Sequence, residues 1–392
     1  MNYNFDSIID RRNTNCLKYD FMLERKKRND LLPLWVADMD FRLPDEILSD
    51  IQNAVSHGIF GYSDVKEDYF KAVQYWFEEE FHWTVQREWL IKTPGVVFAI
   101  AQAIKAFTQE GDAVMIQQPV YYPFSECIIN NHRKLVNNQL RYNDGKYTMD
   151  LEDFENKIIQ EKVKLFILCS PHNPVGRVWT EAELNAIGDI CLKHNVLIVS
   201  DEIHCDFTYP GHHHTIFASL KQEYSMNSIT CTSPSKTFNM AGLQVSNIFI
   251  PNPELRKAFC HEVNASGYSQ LNALGLVACK SAYTKGRPWL NEVKNYIEGN
   301  LSYVRSFLKE KLPEIKLVEP EGTYLIWLDC SELGINYKEL EDLVIDKANL
   351  WLDGGIIFGK DTALFERINI ACPRSIVEEA LNRLERAIHG IS

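Results

Sequence analysis

The chain has 392 residues, beyond the roughly 250 to 300 at which a single core stops growing, so two or more domains are expected, with room for a cleft between them. With 45% hydrophobic, 24% charged and 11% aromatic residues, the composition excludes a disordered or fibrous chain. Forty-one basic against fifty-three acidic residues leave a formal charge of -12, which argues against nucleic acid and anionic membrane as partners and points to a small molecule.

The N-terminal stretch MNYNFDSIIDRRNTN lacks the apolar core of a signal peptide, and no run approaches the roughly 18 apolar residues of a membrane span, so a cytoplasmic protein is expected. Residues 1–46, with PLWVADMDF and the Pro-containing break LPDEI, are predicted to cross over and join the C-terminal part. After TPG, the pattern predicts a helix over 96–107 that ends before the turn residues of QEGD. Five short apolar runs then read as strands: 113–117, 164–169, 196–200, 228–232 and 245–250. They are too apolar for half-exposed strands, so helices should cover both faces of a mainly parallel sheet. Between the second and third, TEAELNAIGDICLKHN opens with a Thr-x-x-Glu capping box and carries a periodic apolar face, as a crossover helix should. From about Gly286 the texture changes to a long helix through residue 312, strand-like KLVEP and TYLIWLD, and a closing helix over 375–390. The division expected is therefore a large domain of residues 47–287 and a smaller α+β domain made of 1–46 and 288–392.

Ten cysteines are scattered singly with no C-x-x-C pair, which disfavours a zinc knuckle or a disulfide scaffold and predicts buried free thiols in a reducing compartment. The three histidines at 212–214 point in different directions and read as an exposed turn; no metal is expected.

The chemistry gathers where predicted strands end. Gly95, Val96 and Val97 open a helix, where free backbone N–H groups and the helix dipole form an anion site, and no nucleotide-binding glycine motif is present. Tyr121 follows the strand at 113–117 as an aromatic lid or plain packing. Asn173 lies in SPHNPVG, which is also ordinary turn chemistry. Asp201 ends a buried strand, where a carboxylate needs a partner such as a pyridinium N–H, or else caps a turn. SPSKTFNMAGL then places Ser233, Ser235 and Lys236 just past a strand. The hydroxyls suit a phosphate, and a desolvated lysine there can act as a nucleophile. By itself the Ser-x-x-Lys spacing also fits a penicillin-recognising serine enzyme or a solvated loop.

In this order, PGV, PVYYP, SPHNPVG, SDEIH, SPSKTFNMAGL and ACPR, the sequence resembles fold type I pyridoxal 5'-phosphate (PLP) enzymes of the aminotransferase class I/II superfamily along nearly its whole length. LLPLWVADMDF, FGYSD and KTFNMAGLQ resemble its MalY/PatB branch of cystathionine β-lyase-like carbon–sulfur lyases. The resemblance implies an α/β fold with a seven-stranded sheet, PLP as cofactor, and Lys236 holding it as a Schiff base. It further implies Asp201 on the pyridine nitrogen, Asn173 at the phenolate oxygen and Tyr121 stacked on the ring. The phosphate would meet Val96, Val97, Ser233, Ser235 and, from a second subunit of a homodimer, Tyr62. Arg374 of ACPR would hold the substrate carboxylate bidentately. His204 stands where many transaminases have tyrosine and resembles the lyase branch. The expected reaction is β-elimination from L-cystathionine or a related cysteine S-conjugate, the alternative being transamination.

Overall fold

Residues 3–25 and 27–390 are described by a computed structural model. Met1, Asn2, Lys26, Ile391 and Ser392, all within segments assigned above to the smaller domain, lie outside the described residues. The large sheet has seven strands: β1 (Leu90–Thr93), β2 (Ala113–Ile116), β3 (Lys134–Asn137), β4 (Leu165–Cys169), β5 (Leu197–Asp201), β6 (Ser228–Thr232) and β7 (Ser246–Phe249). Their order is β1-β7-β6-β5-β4-β2-β3, with only β7 antiparallel to its neighbours. Every residue of β2, β4, β5, β6 and β7 is buried, as continuous apolar runs require when helices cover both faces. These are the five runs legible in the sequence. The two edge strands, LIKT and KLVN, are partly exposed and lack such a run, so they carry no comparable signal.

Helix α1 (Val96–Phe107) packs its apolar face on the sheet and has the predicted bounds. In the crossover helix α2 (Glu181–Lys193), Thr180 and Glu183 form the expected reciprocal capping box. A one-turn helix, α3 (Pro234–Thr237), follows β6. The long helix α4 (Arg287–Lys311) starts earlier than its apolar pattern because Pro288 suits a first helical turn. Beyond it lies a four-stranded antiparallel sheet of β8 (Lys316–Val318), β9 (Leu325–Asp329), β10 (Asp353–Gly354) and β11 (Phe365–Asn369), in the order β8-β9-β11-β10. Helix α5 (Tyr337–Asp342) lies between β9 and β10 in the chain, and α6 (Arg374–His389) closes the fold.

The N-terminal segment does reach this second sheet's surroundings. Leu32–Pro33 pairs in parallel with Leu350–Trp351, and Trp35 stacks on Trp351 with ring centroids 4.4 Å apart. Residues 35–41 continue as a strap fixed from below by a buried ion network. Lys18, wholly buried, donates to Asp40 Oδ2 at 2.6 Å, and Arg11 reaches Asp40 Oδ1 at 2.7 Å and Asp38 Oδ2 at 2.6 Å. Burial opposes ionisation of Asp40, but Lys18 and Arg11 outweigh it and hold the carboxyl below its usual value. Lys18→Met should therefore destabilise the protein by about 3 to 5 kcal/mol, the usual consequence of stripping one partner from a buried ion pair. A lowered urea midpoint with unchanged denaturant slope would show it.

Seven of the ten cysteines are buried and all ten are unpaired. Among the described residues no helix is long and apolar enough to cross a membrane.

Candidate active site

Adjacent parallel strands in register bring their carboxyl ends to one edge: Cys169 of β4 faces Asp201 of β5, which faces Cys231 of β6. Asn173, Asp201 and Ser233 lie at or just past those ends, where open α/β sheets form their ligand crevice. Ser233 caps α3, accepting from the Ser235 amide at 3.1 Å, while Pro234 occupies the first turn. This tight strand-to-helix turn places Lys236 in the crevice instead of in solvent. A cavity of about 190 Å³ opens there, and Gly95, Val96, Val97, Tyr121, Asn173, Asp201, His204, Ser233, Ser235 and Lys236 all line it.

Two predicted residues are not brought to this cavity. Tyr62 is 98% exposed and borders a separate surface groove with residues 267–274. Arg374 sits in the first turn of α6, where its Nε donates to Asn300 Oδ1 at 2.7 Å and its guanidinium lies over Tyr303. It is engaged by α4 and does not line this cavity. Arg367, which the sequence did not single out, instead bonds to Asn173 of the lining. Arg367 lies on β11, buried, with Nη1 donating to Asn173 Oδ1 at 3.0 Å and Nη2 to the Trp35 carbonyl at 2.9 Å and to Asp353. Its Nε has no partner among the described residues. A signal was available: an arginine inside the strand-like run FERIN must be buried against acceptors, whereas Arg374 follows a proline at a helix start.

The strap also contributes. Lys236 Nζ donates to the Ala37 carbonyl at 2.6 Å, and the Tyr324 hydroxyl donates to the same oxygen at 3.1 Å. The histidine run departs from an exposed turn too: His214 is buried with Nε2 2.7 Å from Glu202 Oε2, and no metal-binding group of three ligands exists among the described residues.

Burial lowers the Lys236 ammonium to about 8, assisted by Arg367 and opposed by Asp38 and Asp201. Burial raises Asp201 to about 7, with Glu202 pushing the same way. The one hydrogen bond to its carboxylate among those described comes from the Ile203 amide at 3.1 Å. His204 is held neutral by burial and by Lys236 and Arg367, and its Nδ1 has no partner among the described residues.

These features fit PLP. A buried carboxyl without a cationic neighbour in contact calls for a proton-bearing ring nitrogen. The start of α1, with no side-chain cap, offers its Val96 and Val97 amides to a phosphate. Ser233 Oγ donates to Ser235 Oγ at 2.8 Å, and a Ser235 hydroxyl that accepts there keeps its own hydrogen for an anion. Because Asn173 Oδ1 accepts from Arg367, its amide nitrogen is left to donate to the phenolate oxygen.

Residues 29–384 match the family described as aminotransferase class I and II. The chain belongs to this family. It is 42% identical over 385 residues to cystathionine β-lyase PatB of Bacillus subtilis, covering 98% of this chain and 100% of that protein. Among solved structures, cystalysin from Treponema denticola, which contains pyridoxal 5'-phosphate, superposes with a TM-score of 0.96 at 40% identity over 100% of both chains. A PLP-bound putative aminotransferase from Clostridium difficile 630 does so with a TM-score of 0.96 at 44% identity, covering 99% of this chain and 100% of that one.

Proposed function

We propose that this chain is a PLP-dependent carbon–sulfur β-lyase that converts L-cystathionine, or a related cysteine S-conjugate, and water into a thiol, pyruvate and ammonia. The carrying observation is 42% identity along the whole chain with a cystathionine β-lyase, in a chain whose cavity holds an amine brought down to about 8 by desolvation.

Bound in this cavity, PLP supplies a protonated ring that accepts electron density from the substrate Cα. Asp201 keeps the proton on the ring nitrogen, and Tyr121 covers the ring. The Val96 and Val97 amides, at the helix opened by Gly95, hold the phosphate with the Ser235 hydroxyl, which Ser233 orients. Arg367, fixed by Asp353 and the Trp35 carbonyl, takes the substrate carboxylate and, through Asn173, aligns it with the cofactor. Lys236 anchors the cofactor at rest. Once free of the cofactor, its Nζ would remove the Cα proton and would deliver a proton to the departing sulfur. The Ala37 carbonyl gives the freed amine a fixed position near that path. His204, neutral and buried, packs against Tyr324 and adds no charge.

Tyr62 joins the phosphate site only from a second copy of the chain. An almost fully exposed tyrosine bordering a groove supports such a homodimer. Ten unpaired cysteines support the cytoplasm as compartment. The 44% identity with the putative aminotransferase favours transamination as the second reading. Incubating the holoenzyme with L-cystathionine and no keto acid separates the two. Stoichiometric thiol and pyruvate are expected; turnover that starts only when a keto acid is added would establish the aminotransferase instead.

A further inference from the structure

Glu366 and Arg367 are consecutive on β11, so their side chains leave opposite faces of the smaller sheet. Arg367 bonds on its side to Asn173, which lines the proposed cofactor cavity. Glu366 lines a different cavity, of about 260 Å³, bounded by Val344, Ile345, Trp351, Leu352, Ile356 and Ile357. Glu366 is only 6% exposed, yet its carboxylate makes no hydrogen bond or ion pair among the described residues. One of its oxygens lies 3.7 Å from where a side chain on Gly354 would begin, so the carboxylate is directed at the gap along β10. The reaction outlined above has no use for this group. Without a partner, a carboxylate buried among aliphatic walls is costly, and a charge-bearing occupant would remove that cost.

The surroundings select the sign of the occupant. Asp353 on β10, Glu341 on α5 and Lys27 from the N-terminal segment line the cavity, along with Tyr337. Asp353 is already paired with Arg367, and Lys27 lies 3.6 Å from Glu341. Subtracting those pairs leaves one carboxylate, that of Glu366, unbalanced. Trp351 and the isoleucines offer hydrocarbon contact, with Ile356 and Ile357 exposed at the mouth.

We propose that this cavity is a binding site for a small organic ammonium ion, whose N–H is held by the Glu366 carboxylate and whose hydrocarbon body lies against Trp351, Val344 and Ile345. Asp353 bounds this cavity and also grips Arg367, so an occupant lies one residue behind the substrate-carboxylate site.

Burial, then Asp353 and Glu341, raises the empty carboxyl to about 8 against the opposing pull of Lys27; Tyr337 and the Cys330 thiol are further titratable neighbours. A cation binds the ionised form and so expels a proton at neutral pH. Association should therefore tighten about tenfold per pH unit between pH 6 and 8.

The test uses holoenzyme and N-methylpyrrolidine, a tertiary amine that is charged at these pH values and cannot condense with PLP. Calorimetric titration should give one saturable site with a Kd of about 1 mM, as suits an ion of about six heavy atoms. Cyclopentanol, a neutral ring of similar size, should bind at least about tenfold more weakly. Glu366→Gln, which keeps shape and removes charge, should weaken the amine by a similar factor. Equal binding to that variant, equal binding of cyclopentanol, or absence of saturation would overturn the proposal. The pH dependence in the unaltered enzyme needs no variant, and a flat profile would overturn it as well.

Discussion

Lys236→Ala is expected to reduce pyruvate formation from L-cystathionine by at least about 10⁴-fold, because one amine anchors the cofactor and moves protons at both Cα and sulfur. The cofactor should then wash out on gel filtration, taking its absorbance with it. Folding should survive. Burying this amine opposes its charge, as its lowered value of about 8 against an ordinary 10.5 states. The sign for the cofactor-free protein follows from where protons bind. As pH falls from about 10.5 to 8, the unfolded chain takes up a proton that the folded chain refuses, so stability declines across that window and stays at the lower level below it. In the cofactor-free Lys236→Ala variant that decline should be absent, and urea midpoints measured at pH 8 and 10 resolve the difference. Retention of a tenth of the activity would remove Lys236 from the reaction; an unchanged pH slope would contradict its burial as a near-neutral amine.

The cofactor pocket was legible because its residues follow strands whose own signal is strong. Wholly buried runs such as LFILC and SITCT announce themselves, and the residues just after them inherit a known place at the sheet's edge. Asn173, Asp201 and the Ser233 to Lys236 turn are of this kind. The strap was harder, since its role is carried by backbone atoms: the Ala37 carbonyl meets Lys236 across 199 positions of sequence, and any residue at 37 has a carbonyl. His214 was misplaced for a related reason. Its burial is set by Glu202, twelve residues away, and not by the polar run around it. Tyr62 is a third case, since it stands in solvent away from the cavity.

Arg367→Gln should lower kcat/KM for L-cystathionine by about 10²- to 10³-fold, mostly through KM, whereas Arg374→Gln should change it by less than about threefold. The two arginines are seven positions apart, but β11 ends between them. One lies in a buried strand beside Asn173, the other in the first turn of α6 against Asn300. Arg367→Lys should recover only part of the loss, because an ammonium cannot reproduce the fork that reaches Asn173, Trp35 and Asp353 together. Removing Arg367 also leaves Asp353 buried without its partner, so a bare loss of activity would not separate carboxylate binding from damage to the fold. Changing the substrate does. With S-ethyl-L-cysteine and its α-carboxamide, the unaltered enzyme should prefer the carboxylate by about 10²-fold, and in the Arg367→Gln enzyme that preference should collapse to a few-fold. If the preference persists in that enzyme and collapses in Arg374→Gln, the carboxylate is held at the start of α6 and the assignment of Arg367 fails.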